Sequence, residues 1–437
     1  MLNAIDAPKK VVTSYGLRLP PGPDEPYAPE EDLLSWMSGN FDRYSDIYRA
    51  SIFGSNVYVV SNPDYVEHIL RLNWQNYLRK GQVVKRISLL LGNGLIASNG
   101  QFWKGQRQMI QPAFSKSSIC TFKDIFVRTN TELLADWLLA AKRGERVNVT
   151  QDLSAMVLRA TLLAIFGGDY EIVAPYFGIL AKQSVRNFEF AGTFRPLREI
   201  IQQIVSQRRD HRIPPPDLLG SLMEARSRQH GKPMPDPQLV TEIMTLIVAG
   251  HETTASLLNW IWYLLSRHPK VQAKLCEEFS RLPWEEVPSA DLFPKYTYTL
   301  QVIEEALRLY PPLWLMTRKA MNDDQLGDFY VAAGTEIYIS PFLIQRSPCL
   351  WEAPDHFDPD RMSSSFRGNR HELSACPFGA GPRNCIGESF ARLEIQYHLM
   401  MFGRILRLRA HQRGEISAGG MNLLSKDDFT MLPEIIT

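Results

Sequence analysis

The sequence predicts a mainly α-helical protein with small β-sheets. Three observations carry this reading. A strongly apolar run over residues 243–262 holds Ile243, Met244, Leu246, Ile247 and Val248 before a short polar patch, and Leu257, Leu258, Trp260 and Ile261 after it. Most other long segments repeat apolar residues at the helical period, as Val302, Ile303, Ala306, Leu307 and Tyr310 do. Strand signals are brief and border turn residues. Residues 51–60 read as a hairpin turning at Gly54-Ser55-Asn56. Phe329-Tyr330-Val331 and Glu336-Ile337-Tyr338-Ile339 flank Gly334 as a second small strand pair.

Along the chain, residues 1–10 carry no apolar run, so neither a signal peptide nor a membrane anchor is expected. Residues 1–23 read as an extended segment that the prolines near Leu19-Pro20-Pro21-Gly22-Pro23 stiffen. Asn62-Pro63 caps and starts a helix. Residues 212–237, with Pro214-Pro215-Pro216, read as turns before the long helix. Pro311-Pro312 stops the helix that precedes it.

Composition removes several function classes. The 437 residues carry a net charge of +1, with no basic tract interleaved with aromatics, so no nucleic-acid partner is expected. The five cysteines are odd in number and unclustered, which suits a reducing compartment better than a disulfide frame. No Cys or His spacing suits zinc.

The most informative stretch is residues 378–387. Phe378, Gly381, Arg383, Cys385 and Gly387 surround one cysteine with two glycines, an arginine and an aromatic. A cysteine thiolate donates electron density to haem iron and favours O–O cleavage. A helix-forming run starts at Glu388, and a helix N-terminus helps to keep a thiolate ionised. The glycines let the backbone turn beside a flat ligand. Arg383 offers a fork for a propionate. A buried structural cysteine in a Gly-rich loop is the plainer alternative.

The second signal is Ala249-Gly250-His251-Glu252-Thr253-Thr254 inside the long apolar helix. A glycine and polar groups there cost helix stability. Function explains that cost if Gly250 leaves room for dioxygen, the Thr253 hydroxyl loosens the helix ladder, and Glu252 relays protons. A core helix with a tolerated polar patch is the alternative. A central charge argues against a membrane span. His251 reads as a solvated or neighbour-bonded residue.

Two further patterns are weaker. Glu305 and Arg308 share a helix face at i,i+3, which read alone suits an exposed ion pair. Trp103 and Arg107 share a face at i,i+4 and can both donate to one carboxylate, or can belong to an ordinary amphipathic helix.

The 378–387 stretch resembles the haem-binding signature of the cytochrome P450 superfamily, Phe-x-x-Gly-x-Arg-x-Cys-x-Gly, and fills it without departure. The 249–254 hexapeptide is similar to the family's oxygen-activation motif, with Glu252 and Thr253 as acid and alcohol. The resemblance spans Trp103 to Gly387. It implies one domain over residues 1–437, with haem b held between the long helix and the Cys385 loop. Cys385 is the implied proximal iron ligand. The implied cofactor contacts are Trp103, Arg107, Ala249, Gly250, Arg318, Phe378, Gly379, Arg383, Ile386 and Gly387. Residues 357–362 resemble the family's aromatic-Pro-Arg segment, so Glu305, Arg308 and Arg361 take a structural role. Met362 stands where aromatics are frequent.

The segments that line the pocket in the family contribute Val83, Val84, Ile87, Leu90, Leu91, Leu95, Ile96, Trp314, Leu315 and Met316. That set suits a hydrophobic small molecule, and singly each residue also suits plain core. Residues 175–209 are expected to roof the pocket. The implied activity is hydroxylation or epoxidation with O2, in the cytoplasm. No dinucleotide, flavin or iron–sulfur motif follows the haem loop. Electrons are therefore expected from a separate ferredoxin or flavodoxin with its reductase, docking near Lys104. The rival class is a non-oxygenating haem-thiolate protein, such as a peroxide rearrangement enzyme, an isomerase or a gas-binding sensor.

Overall fold

Short strands rich in Val, Ile and Tyr build the first of two compact units. It comprises Met1–Lys85, Leu313–Asp355 and Asn369–Cys385. The computed structural model describes residues 16–44, 46–182, 191–210, 215–281, 295–363, 368, 370–410, 414–419 and 421–436. The central sheet of this unit has five strands in the order Ile47–Ile52, Ser55–Val60, Glu336–Ile339, Met316–Ala320 and Tyr77–Leu78. Its core joins Ile47, Val60, Ile69, Met316, Ile339 and Cys376.

Two expectations about strands need correction. The hairpin turns one residue earlier than Gly54-Ser55-Asn56. Ile52 pairs with Ser55, which leaves Phe53 and Gly54 as a two-residue turn with φ of 50° and 74°. That mirror-image turn matches the strand twist, and glycine supplies half of it without strain. The strands at 329–331 and 336–339 do not pair with each other. Phe329–Val331 pairs with Asp324–Leu326, while Glu336–Ile339 lies parallel to Ser55–Val60 and antiparallel to Met316–Ala320. The fully buried Glu336–Ile339 strand is two-sided, which suits a central position.

The second unit comprises Arg86–Pro312, His356–Gly368 and Ile386–Thr437 and is largely helical. Its axis is the 32-residue helix Asp236–Arg267, about 48 Å long. Asp236 favours its positive end, and His268-Pro269 stops it. Val149–Phe166 packs along it with twelve buried residues. Among the described residues Val149–Phe177 is the one helical stretch long and apolar enough to cross a membrane, and most of it is buried inside the chain. The stretch 212–237 is not all turns. Asp217 caps a short helix, Leu218–Glu224, by accepting from the Gly220 amide. Residues 183–190 of the expected roof lie outside the described set. Around them are the helices Tyr170–Lys182 and Ala191–Arg209.

Aromatic rings lock this unit. Trp260 stacks on Tyr310 at 3.9 Å, and Trp137 meets Phe402 edge-on at 5.1 Å. Within that cluster His398 is fully enclosed. The Trp262 indole donates to its Nε2 at 2.7 Å, and its Nδ1 lies 2.7 Å from Asn130 Oδ1. Nε2 must accept, so Nδ1 carries the proton and the ring is neutral. Burial pushes its pKa down to about 3. Below the unfolded value the unfolded chain binds a proton that the fold refuses, so stability falls with pH. We expect this residue to cost roughly 1.4 kcal/mol of stability per pH unit between about 6.5 and 3. Urea unfolding of the wild type and of His398→Gln at several pH values should show a shallower acid slope in the variant.

Candidate haem site and proton-delivery site

The cysteine loop is shaped by backbone bonds before any ligand is considered. The Gly379 amide donates to the Cys376 carbonyl, Asn384 to Gly381, and Cys385 to Phe378 at 2.9 Å. The last bond folds the loop back on itself and leaves Cys385 exposed. Gly381 has a φ of 68°, and a Cβ there would stand 2.0 Å from the Leu70 carbonyl oxygen. No side chain fits. Gly379 also has a positive φ, 73°. Gly387 then caps the 16-residue helix Glu388–Gly403, so the sulfur precedes a helix N-terminus.

The same unit gathers arginines beside this loop. Arg318 is 5% exposed on the strand Met316–Ala320. Its Nη1 donates to the Thr317 carbonyl, and among the described residues it has no carboxylate partner. Burial, then the neighbouring Arg79 charge, lowers its pKa to about 9. Arg79 in turn donates to the Arg383 carbonyl at 3.1 Å, and Arg383 is itself buried. A buried cation beside another cation is costly unless an anion joins them. The donor set therefore fits an acidic ligand such as a haem propionate. Sequence reasoning missed Arg79. Beside Lys80 it reads as solvated surface, and only the fold brings it near Arg318.

The second unit holds the other residues singled out from the sequence. Ala249 is exposed near the middle of a helix that is buried over residues 239–245 and 254–262. The Thr253 hydroxyl donates to the Ala249 carbonyl at 2.8 Å. Gly250 differs from expectation. A Cβ there would touch Thr161 at 3.5 Å, so its missing side chain faces the neighbouring helix and Ala249 is the small residue at the exposed position. His251 is bonded to Ser154, with Nε2 2.9 Å from the hydroxyl and 3.1 Å from the carbonyl oxygen. Burial holds its pKa down to about 4. Glu252 is pushed up to about 7 by burial, partly offset by a bond from the Asn422 amide. Its carboxyl can therefore hold or release a proton near neutral pH.

Trp103 is buried and Arg107 is partly exposed on the helix Gly100–Ile110, where Arg107 Nε lies 3.4 Å from Gln111 Oε1. Leu95 is buried, while Val83, Val84, Ile87 and Ile96 are half-buried. In the first unit Trp314, Leu315 and Met316 are buried. Glu305 and Arg308 are not an exposed pair. Both are fully buried and joined by two 2.7 Å bonds. Arg361 approaches Glu305 at 3.1 Å, and the Asp358 amide donates to the same carboxylate. Sequence reasoning also missed Glu242, which is fully buried, accepts from the Leu95 amide and is raised to about 7 by burial. One acidic residue in an apolar run carries no signal of that partner.

The sequence profile of the family described as Cytochrome P450 matches residues 27–197 and 189–416. Cyclooctatin synthase of Streptomyces melanosporofaciens is 29% identical over 416 residues, which covers 90% of this chain and 89% of that protein. Pentalenene oxygenase of Streptomyces avermitilis is 27% identical, with 83% of each chain covered. Two solved structures share the fold. The cytochrome P450DA heme domain superposes with a TM-score of 0.82 at 24% identity, covering 96% of this chain and 98% of that one. A cyanobacterial protein with retinoic acid bound, CYP120A1, gives 0.84 at 22%, covering 96% and 100%. The chain belongs to the cytochrome P450 family and is a haem enzyme of the monooxygenase class.

Removing Glu305 would take away the buried carboxylate that Arg308 and Arg361 share. We expect Glu305→Ala to cost roughly 3–5 kcal/mol, read as a lowered urea midpoint.

Proposed function

We propose that this enzyme inserts oxygen into a C–H or C=C bond of a terpenoid-like hydrophobic molecule, with haem b held by Cys385. The observation that carries the reading is the exposed Cys385 in a loop closed on Phe378 and pinned by Gly381 against Leu70. Relatives named for pentalenene and for cyclooctat-9-en-7-ol, and a fold neighbour with retinoic acid bound, support an apolar substrate. In the first unit Val83 and Val84 are half-buried and Trp314, Leu315 and Met316 are buried, side chains that suit an apolar ligand. The second unit offers the half-buried Ile87 and Ile96 and the buried Leu95.

When bound, the haem supplies the iron chemistry of oxygen activation and C–H oxidation. The chain holds it by the Cys385 sulfur, with Phe378, Gly379, Ile386 and Gly387 around that ligand. Arg79, Arg318 and Arg383, all in the first unit, would take a propionate. Arg318 would gain the counter-charge that the described side chains do not give it. In the second unit the exposed Ala249 leaves the middle of the long helix unobstructed by a large side chain. The Thr253 proton is committed to the Ala249 carbonyl, so its oxygen remains an acceptor for a water. Glu252, near neutrality in its proton affinity, gives up and regains protons along that path. Glu305, Arg308 and Arg361 stiffen the structure and do no chemistry.

Electrons would come from a ferredoxin or flavodoxin with its reductase, steered by basic groups such as the exposed Lys104. We place the reaction in the cytoplasm, where a reducing environment keeps Cys385 available.

Two measurements test this. The reduced carbon monoxide spectrum of haem-loaded Cys385→Ser should depart from that of the wild type, and identical spectra would overturn the ligand assignment. Thr253→Ala should release more hydrogen peroxide per reductant consumed and lose product by about 10²-fold. Unchanged coupling would favour a non-oxygenating haem-thiolate protein.

A further inference from the structure

One strand is tied to the long helix by side chains at regular spacing. Glu252, Ser256 and Asn259 stand at i, i+4 and i+7, on one face of Asp236–Arg267. The strand Asn422–Ser425 meets that face residue by residue. Asn422 Nδ2 donates to Glu252 Oε2 at 2.5 Å, the Ser256 hydroxyl donates to the Leu423 carbonyl at 2.7 Å, and Asn259 Nδ2 donates to Ser425 Oγ at 3.2 Å. The strand is anchored at its other edge as well. The Leu423 amide donates to the Pro312 carbonyl, and the paired strand Ile416–Gly419 runs antiparallel to it.

Two of these three ties need no carboxylate to seat the strand. The third falls on the acidic residue of the oxygen-activation motif. We propose that Asn422 is a positioning residue for proton delivery, holding the Glu252 carboxyl at a fixed place beside the helix. This rests on the reading that Glu252 delivers protons.

The chemistry of the partner matters. An amide donor stabilises a carboxylate without adding charge. A lysine or arginine at the same place would favour the ionised form much more strongly and drive the proton affinity away from neutrality. Other ionisable groups near this face are engaged elsewhere. His251 is turned to Ser154 and neutral, Asp152 accepts from Trp137, Glu305 pairs with Arg308, and Lys426 pairs with Glu415. Burial and the amide are the influences on Glu252, and they oppose each other.

The test uses the haem-loaded protein. Infrared difference titration follows the Glu252 carboxyl band, assigned by its loss in Glu252→Gln. Asn422→Ala should move the titration midpoint up by about one pH unit, the share expected of one hydrogen bond to a charged acceptor. It should also lower product formed per reductant consumed with a hydrophobic probe selected by spectral titration. Asn422→Gln, which keeps the amide, should recover part of both. Ser256→Ala loosens the same strand without touching Glu252 and should do neither. An unmoved midpoint in Asn422→Ala, or an equal shift in Ser256→Ala, overturns the proposal. If Glu252→Gln couples as the wild type does, the proton-delivery reading fails instead, and the infrared midpoint still decides whether Asn422 governs that carboxyl.

Discussion

The bond from the Cys385 amide to the Phe378 carbonyl is what the functional reading depends on. It closes a loop that turns twice through positive φ, at Gly379 and Gly381, and it decides which way the sulfur leaves the backbone. The loop cannot relax around a larger residue, because the Leu70 carbonyl fills the space where a Cβ would go. The cysteine is therefore presented by main-chain geometry rather than by side-chain packing. A ligand atom held this way keeps its position whether or not a partner atom is there, which is the meaning of preorganisation in a metal site.

The long helix solves a different problem. Its interior faces are apolar and buried, and such a helix is stable without polar groups at its centre. The motif around Glu252 breaks that pattern, and three of its polar members have partners of their own. The Thr253 hydroxyl uses the Ala249 carbonyl, His251 uses Ser154, and Glu252 uses Asn422. Polar groups with partners cost far less than orphaned ones. That satisfaction is also selective, because the Thr253 oxygen keeps its acceptor capacity and Glu252 stays near the point of releasing its proton.

Much of this was legible in sequence because the signals are local. Cysteine, arginine and glycine at fixed offsets within residues 378–387 define the loop, and a polar hexapeptide in an apolar run marks the helix centre. What was illegible depends on partners far along the chain. The parallel pairing of Ser55–Val60 with Glu336–Ile339 has no local signature, and the nearer strand Phe329–Val331 looked like the natural partner. By spacing alone Glu305 and Arg308 give the pattern of a solvated pair; it was the family resemblance of residues 357–362 that pointed to Arg361, which does reach Glu305. Arg79 and Asn422 were invisible because their partners lie far along the chain. Single polar residues near turns are ordinary until the fold supplies Arg318 or Glu252 as a neighbour. The case of Gly250 is subtler. A glycine inside a functional motif invited a functional account, yet its open side faces Thr161, and the small residue at the exposed position is Ala249.

A common electrostatic rule runs through the helical unit. Burial drives His398 and His251 to their neutral forms and raises Glu252 and Glu242 toward theirs, so the helical unit carries little net charge in its interior. Glu305 with Arg308, and Arg208 with Asp217, are buried exceptions whose charges cancel in pairs. Arg318, in the other unit, departs from the rule. A guanidinium cannot shed its proton at working pH, so burying it beside Arg79 leaves positive charge that the described side chains do not neutralise. Among the described residues this buried cation has no carboxylate partner, while the buried charges of the helical unit are neutralised or paired. That contrast fits an anionic group from outside the chain, and the carboxylates of a haem are groups of that kind.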